Sequence, residues 1–166
     1  MGAPHDTVVT DDFMRILHET ETRVRHSAHA HWAATNRFDM LNQLSTIATL
    51  IGGFLVSLLA ALPVLYQAVY QPHSTLINAA IFVLGGAVSL ISVLQAVQRW
   101  GERSQNHFNA ANAYSSLRRK LEILHLNLPG SAGDLTAILQ ELLHLGETTP
   151  AVPGAMWRAA VRKLKG

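Results

Sequence analysis

From Met40 to Gln98 the sequence contains no Asp, Glu, Lys or Arg, and His73 is the single imidazole in that stretch of 59 residues. All 13 Lys/Arg and all 11 Asp/Glu lie outside it. A soluble globule needs charged surface along its whole length, with ~25% charged residues in the ordinary case. Here the fraction is 14%, and it is confined to the flanks of the run. Disorder is excluded over the run as well, because disordered segments are poor in apolar residues and rich in charge. The absence of cysteine removes disulfides, thiol nucleophiles and zinc–thiolate sites.

The run fits two membrane crossings. A helix rises about 1.5 Å per residue, so ~20 apolar residues span a hydrocarbon core of ~30 Å. The first crossing is expected from about Leu44 to Tyr66 and the second from about Leu76 to Val97. Between them, Gln67–Thr75 carries Pro72, His73 and Ser74, which predicts a tight turn at a membrane surface. Tyr66, Tyr70 and Trp100 fall where an interfacial aromatic belt would place them. Pro63 falls near the end of the first helix, where its freed carbonyl is most easily satisfied. A cleaved signal peptide is not expected, since the first apolar run starts about forty residues in and is too long. Two buried helices of a soluble bundle are the competing reading, but such helices are seldom uncharged on every side.

Orientation follows from the basic residues. Arg23, Arg25 and Arg37 precede the first crossing, Arg99 and Arg103 follow the second, and the connecting turn has no Lys or Arg. The positive-inside rule then places both termini in the cytoplasm. The chain is expected to cross the membrane twice, with the connecting turn outside.

Outside the run, Thr10 followed by Asp11 and Asp12 reads as an N-cap with acidic first-turn residues. Phe13, Ile16, Leu17, Val24, Ala28 and Trp32 then recur at roughly helical spacing, and no Pro or Gly interrupts Thr10 to Ile51. Beyond the second crossing Trp100, His107, Ala110, Ala111, Tyr114, Leu117, Leu121 and Leu124 repeat at threes and fours, which predicts a helix to about Leu128 ending at Pro129-Gly130. These two stripes are expected to pack on one another as a coiled stalk. A shorter helix capped by Asp134 and ended by Gly146 carries Leu135, Ile138, Leu139, Leu142 and Leu143 on one face. After the linker Thr149–Gly154, the last segment sets Trp157, Val161 and Leu164 along one side and Arg158, Arg162, Lys163 and Lys165 elsewhere. It either lies on an anionic leaflet or packs on its own protein with a solvated basic face. No nucleic-acid partner is expected, because no basic–aromatic platform accompanies those charges.

The expected fold class is therefore an all-α membrane protein: a two-transmembrane helical hairpin with long cytoplasmic helical extensions and short C-terminal helices. Its segments are an N-terminal amphipathic helix over 1–39, the hairpin over 40–98, a helix continuing the second crossing over 99–128, and short helices with a basic tail over 129–166.

Chemistry is sparse. Among nine histidines, His18, His26, His29 and His31 cluster, and the i, i+3 pair His26 and His29 has the spacing to hold one face of a divalent metal. Solvated histidines on a stalk helix and a pH-responsive group are the other readings, and no metal site is expected. No cofactor is expected either. Gly52-Gly53 and Gly85-Gly86 lie inside apolar helices rather than in phosphate-cradling loops. No pair of carboxylates has a spacing that would make them confront one another, and several serines are intramembrane. An enzyme is not expected.

The informative pattern lies inside the crossings. Asn78, Gly85, Ser89, Ser92 and Ala96 share one face of the second helix. On the first, Ala48, Gly52, Gly53, Ser57 and Ala61 supply small residues over a broader arc, with Ser45 and Thr49 at its cytoplasmic end. Lipid offers no hydrophobic reward for helix association, so close packing through small residues takes over. Two uses are open: packing within one hairpin, or lining a water path once several hairpins surround an axis. With no charge inside, such a path would be wide, weakly selective or gated by apolar constriction. A lone hairpin would leave these faces in lipid, so a homo-oligomeric ring is expected.

The order of elements and the stretch His107-x-x-Ala110-Ala111-x-x-Tyr114-x-x-Leu117-Arg118-Arg119, with His31-Trp32-Ala33-Ala34 before it and the Pro150–Trp157 tail after it, resembles the SLATT family. These are bacterial two-transmembrane proteins linked to conflict and anti-phage systems. The resemblance runs from about Phe13 to Trp157 and rests on short motifs. It implies an effector that assembles in the bacterial inner (plasma) membrane and, when activated, opens a pore that depolarises, arrests or kills the infected cell. Related proteins are often encoded beside nucleotide-signal synthases, nucleotide sensors or reverse transcriptases, which implies an upstream sensor or nucleotide signal as partner. His107, Tyr114 and Arg118 match the family's pattern. Two other classes remain open: a non-conducting scaffold that binds a partner through its cytoplasmic helices, and a small transporter subunit, which would need an intramembrane charge or broken helix.

Overall fold

A computed structural model of the chain describes residues 5–126 and 132–165, and all its described elements are helices. They are α1 (His5–Leu65), α2 (Gln67–Gln98), α3 (Trp100–Leu126), α4 (Ala132–Thr148) and α5 (Gly154–Lys165). Two helices are long and apolar enough to cross a membrane. The chain divides into two compact units. One joins α1 up to Arg37 with the chain from Arg103 onward; the other is Phe38–Glu102.

In the first unit the three-and-four spacing does what it predicts. Leu17, Val24 and Ala28 of α1 meet Tyr114, Leu117, Leu121 and Leu124 of α3 in a single core, and Leu135, Ile138 and Leu142 of α4 close it. Leu117 and Val24 are wholly buried. At ~1.5–3 kcal/mol for each large apolar side chain, this stripe accounts for the unit's cohesion. Ser104 Oγ donates to the Thr35 carbonyl (3.2 Å), and Lys120 Nζ pairs with Glu141 across α3 and α4 (2.6 Å). In the closing segment α5 buries Ala160, and Trp157 lies in a groove with His18, Thr22 and His26 of α1 while Arg158, Arg162 and Lys163 stay exposed.

The second unit is built differently. Its buried residues are Ser45 and Ile77, whereas Val64 and Phe82 keep 85% and 83% of their surface. Most of the large apolar side chains exposed among the described residues belong to it. The α1 segment and α2 touch along one line: Gln95 Nε2 donates to Thr46 Oγ1 (3.0 Å), and Val88 Cγ2 sits against Gly52. Along these contacts the numbering rises on α1 as it falls on α2.

Element boundaries differ from expectation in five places. Helix α1 begins at His5, so Thr10 lies inside it; the nearest breaker upstream in sequence is Pro4. The expected turn Gln67–Thr75 is helical, and only Tyr66 (φ −138°, ψ 64°) stands outside the helices there. A single Pro in the second turn removes one backbone bond, and its neighbours are adequate helix formers, so Pro72 is accommodated. The expected continuation of the second crossing is interrupted at Arg99, which adopts the left-handed conformation (φ 49°, ψ 45°) with its N–H bonded to the Gln95 carbonyl (3.0 Å). Asp134 sits in the first turn of α4 instead of capping it, and the helix passes Gly146 to reach Thr148, since one glycine costs only ~1 kcal/mol. The expected stop at Pro129-Gly130 lies outside the described residues, as does the side chain of Leu164.

Candidate functional site

Three features carry the candidate residues. The first is the small and weakly polar surface of the second unit. On α2, Asn78, Ser89, Ser92 and Ala96 are exposed and Gly85 is half-buried, while Val88 and Gln95 contact α1 and Ile77 is buried. A Cβ on Gly85 would meet nothing within 4 Å, whereas one on Gly52 would collide with Val88 Cγ2. Packing between α1 and α2 thus uses Gly52 and leaves the Ser89 side of α2 open. On α1, Ser45 is buried, Thr49 and Gly53 are half-buried and Ser57 is exposed. Their hydroxyls are already occupied: Thr49 Oγ1 donates to the Ser45 carbonyl (2.8 Å), Ser57 Oγ to Gly53 (2.9 Å) and Ser92 Oγ to Val88 (2.9 Å). Asn78 Oδ1 accepts from the Tyr70 hydroxyl (3.2 Å). These bonds lower the cost of placing the stripe in hydrocarbon, so the side chains' small size, more than unmet hydrogen bonding, favours close approach there.

The second feature was not legible as a pair in the sequence. His31 Nδ1 and His107 Nδ1 lie 3.0 Å apart inside the first unit, each residue 4% exposed. Tyr114 stacks on His31 with ring centroids 5.4 Å apart and an interplanar angle of 22°. Thr35 Oγ1 donates back to the His31 carbonyl (3.0 Å). A bond between two Nδ1 atoms requires one to carry hydrogen and the other a bare lone pair. Burial, then the neighbouring His107, pushes His31 down to about 4, and burial lowers His107 as well. The two residues placed here by the family pattern, His107 and Tyr114, therefore meet a third, His31, which belongs to the other quoted stretch. His26 and His29 do not join them, and no group of three or more His, Asp or Glu able to hold a metal occurs among the described residues.

The third feature surrounds Arg118. Arg25, Ala28, His29 and Trp32 of α1 and Ser115, Arg118, Arg119 and Glu122 of α3 line a pocket of about 350 Å³. Trp32 is held by an edge contact with Phe108, ring centroids 5.4 Å apart. Arg118 bonds Glu122 (2.8 Å), one turn on.

No family model, curated protein or solved structure matches this chain. What the fold defines is a class: an all-helical chain, over its described residues, in which two helices are long and apolar enough to cross a membrane and a separate helical unit has a conventional core.

Proposed function

We propose that the chain is a membrane effector that crosses the bacterial inner membrane twice as a helical hairpin, self-associates, and opens a pore on activation. This is the activity its resemblance to the SLATT family implies, with both termini in the cytoplasm and depolarisation, growth arrest or death of an infected cell as the outcome. The observation that carries the reading is the unused face of α2. Asn78, Ser89, Ser92 and Ala96 are exposed beside the α1 contact made by Val88 and Gln95, on a helix that also exposes large apolar residues. Leu90, Val93 and Val97 suit acyl chains; a strip of small side chains suits a second helix at close range. Copies arranged about an axis would bring these strips together, and a lumen so lined would carry no fixed charge.

The experiment is a paired measurement on the purified full chain. Its detergent-corrected mass is expected to be a multiple of the 18.1 kDa protomer, and reconstituted liposomes are expected to release trapped ions. Ser89→Leu and Gly85→Leu are expected to lower both the mass and the flux. A strict monomer would end the pore reading, and an oligomer whose vesicles stay tight under every condition would favour the scaffold.

A further inference from the structure

The pocket beside Arg118 has the composition of an anion site. Arg25, Arg118 and Arg119 bring three guanidinium groups to its lining, against the single carboxylate of Glu122. Arg25 and Arg119 form no ion pair among the described residues. Arg118 has Glu122, but both side chains of that pair are nearly half exposed, and exposed pairs are cheaply broken. All three arginines are exposed, so their guanidinium groups stay hydrated and within reach of an anion entering the pocket. The field is felt by a neutral reporter. His29 is harder to protonate than an ordinary histidine, first through burial and then through Arg25, Lys163, Arg118 and His26, so cationic groups from α1, α3 and α5 converge on one place.

We propose that this pocket binds the phosphate group of a small phosphorylated ligand, held by Arg25, Arg118 and Arg119, with the ligand's body against Trp32. A guanidinium presents a rigid fork that matches phosphate oxygens two at a time, and three such forks suit a doubly charged phosphate better than a carboxylate. Ser115 supplies a hydroxyl donor at the same lining. The volume of about 350 Å³ falls within the range of small-molecule sites, which leaves room beyond the phosphate for an organic portion. Trp32 and Ala28 offer that portion an apolar surface, and the Phe108 contact fixes the indole in advance. The site lies wholly within the first unit and does not depend on whether the second unit conducts.

The test uses the full chain in neutral detergent, titrated calorimetrically with inorganic phosphate and with phenyl phosphate. Saturable binding is expected, with phenyl phosphate about tenfold tighter because it adds contact with Trp32. The Arg25→Gln/Arg119→Gln double variant is expected to lose at least about tenfold for both ligands while keeping its helicity and melting temperature. Trp32→Phe is expected to retain inorganic phosphate and lose the preference for the aromatic ester. Repeating the titration in nanodiscs of phosphatidylcholine and of phosphatidylglycerol separates two sources of the same chemistry. Equal affinity in both lipids assigns a soluble ligand, whereas competition in phosphatidylglycerol assigns a lipid headgroup. Absence of saturable binding, unchanged affinity in the arginine double variant, or equal affinity for the two phosphates would each overturn the proposal. None of these outcomes alters the mass or ion flux of the unliganded chain, so failure here is distinct from failure of the pore reading.

Discussion

His31 and His107 are joined through their Nδ1 atoms at 3.0 Å, a geometry that two imidazolium rings cannot hold. The consequence is a stability that depends on pH with a definite sign. His31 is pushed down to about 4 when folded and returns to about 6.5 when the chain unfolds, so between those values the unfolded state binds more protons. Stability is therefore complete above the unfolded value and is lost as pH falls from about 6.5 toward about 4. Between about pH 7 and about pH 5 the expected loss from this residue is about 2 kcal/mol, and His107, lowered in the same direction, adds to it. Thermal unfolding of the full chain in detergent measures it, and His31→Asn is expected to flatten the slope at the cost of a lower midpoint at neutral pH. An equal slope in that variant would remove the pair as the cause. Half of this site was readable from the sequence. His107 and Tyr114 fall on the stripe that Ala110, Ala111, Leu117 and Leu121 define, so their burial follows from spacing alone. His31 looked like one of several solvated histidines because His26 and His29 flank it; the signal that separates it is its place on the face of Val24, Ala28 and Thr35.

At the scale of elements, glycine positions distinguish contacts made within the chain from contacts left open. Gly52→Ala places a methyl group against Val88 Cγ2 and is expected to destabilise the α1–α2 pair by about 1–3 kcal/mol, the usual cost of overpacking. Gly85→Ala meets nothing within 4 Å and gains helix propensity, so the pair is expected to hold or strengthen by up to about 1 kcal/mol. Unfolding of the two variants in mild detergent with increasing dodecyl sulfate compares them, and equal effects would contradict this assignment of faces. A second element-scale expectation concerns the break between α2 and α3. Arg99 holds a left-handed conformation that costs a β-carbon-bearing residue about 1–2 kcal/mol, so Arg99→Gly is expected to raise stability by about 1 kcal/mol in the same assay, with loss of the Arg99–Glu102 ion pair subtracting little. The two apolar helices were legible because nothing but helix suits a long uncharged run. Their junctions were not. Gln67–Thr75 has the composition of a loop, yet Gln, Ala, Val and Tyr carry no intrinsic objection to helix. The Arg99 break has no signature residue at all, since a glycine at that position would have announced it and an arginine does not.

For the whole molecule, the sharpest expectation joins membrane sidedness to the unused face of α2, and the lack of any native cysteine makes both measurable by single substitutions. Ser74→Cys lies near the start of α2, in the stretch expected outside the cell, and should react with a membrane-impermeant maleimide on intact cells. Ser116→Cys, exposed on α3, should react only after the membrane is opened. Ser89→Cys, on the open face of α2, is expected to form disulfide-linked dimers under mild oxidation in membranes. Val88→Cys, one residue away but turned toward Gly52, is expected to form few. The contrast between neighbours is what gives the test its force, because random collision in the bilayer would cross-link both positions alike. It also separates association from conduction: a scaffold and a pore predict the same cross-links, while only a pore predicts that locking or widening the Ser89 contact changes ion flux. Reversed labelling of Ser74→Cys and Ser116→Cys would invert the topology without touching the fold. Labelling of both on intact cells would place the stretch around Ser74 and the helix bearing Ser116 on the same outer side, which the basic residues at Arg99, Arg103, Arg118 and Arg119 argue against.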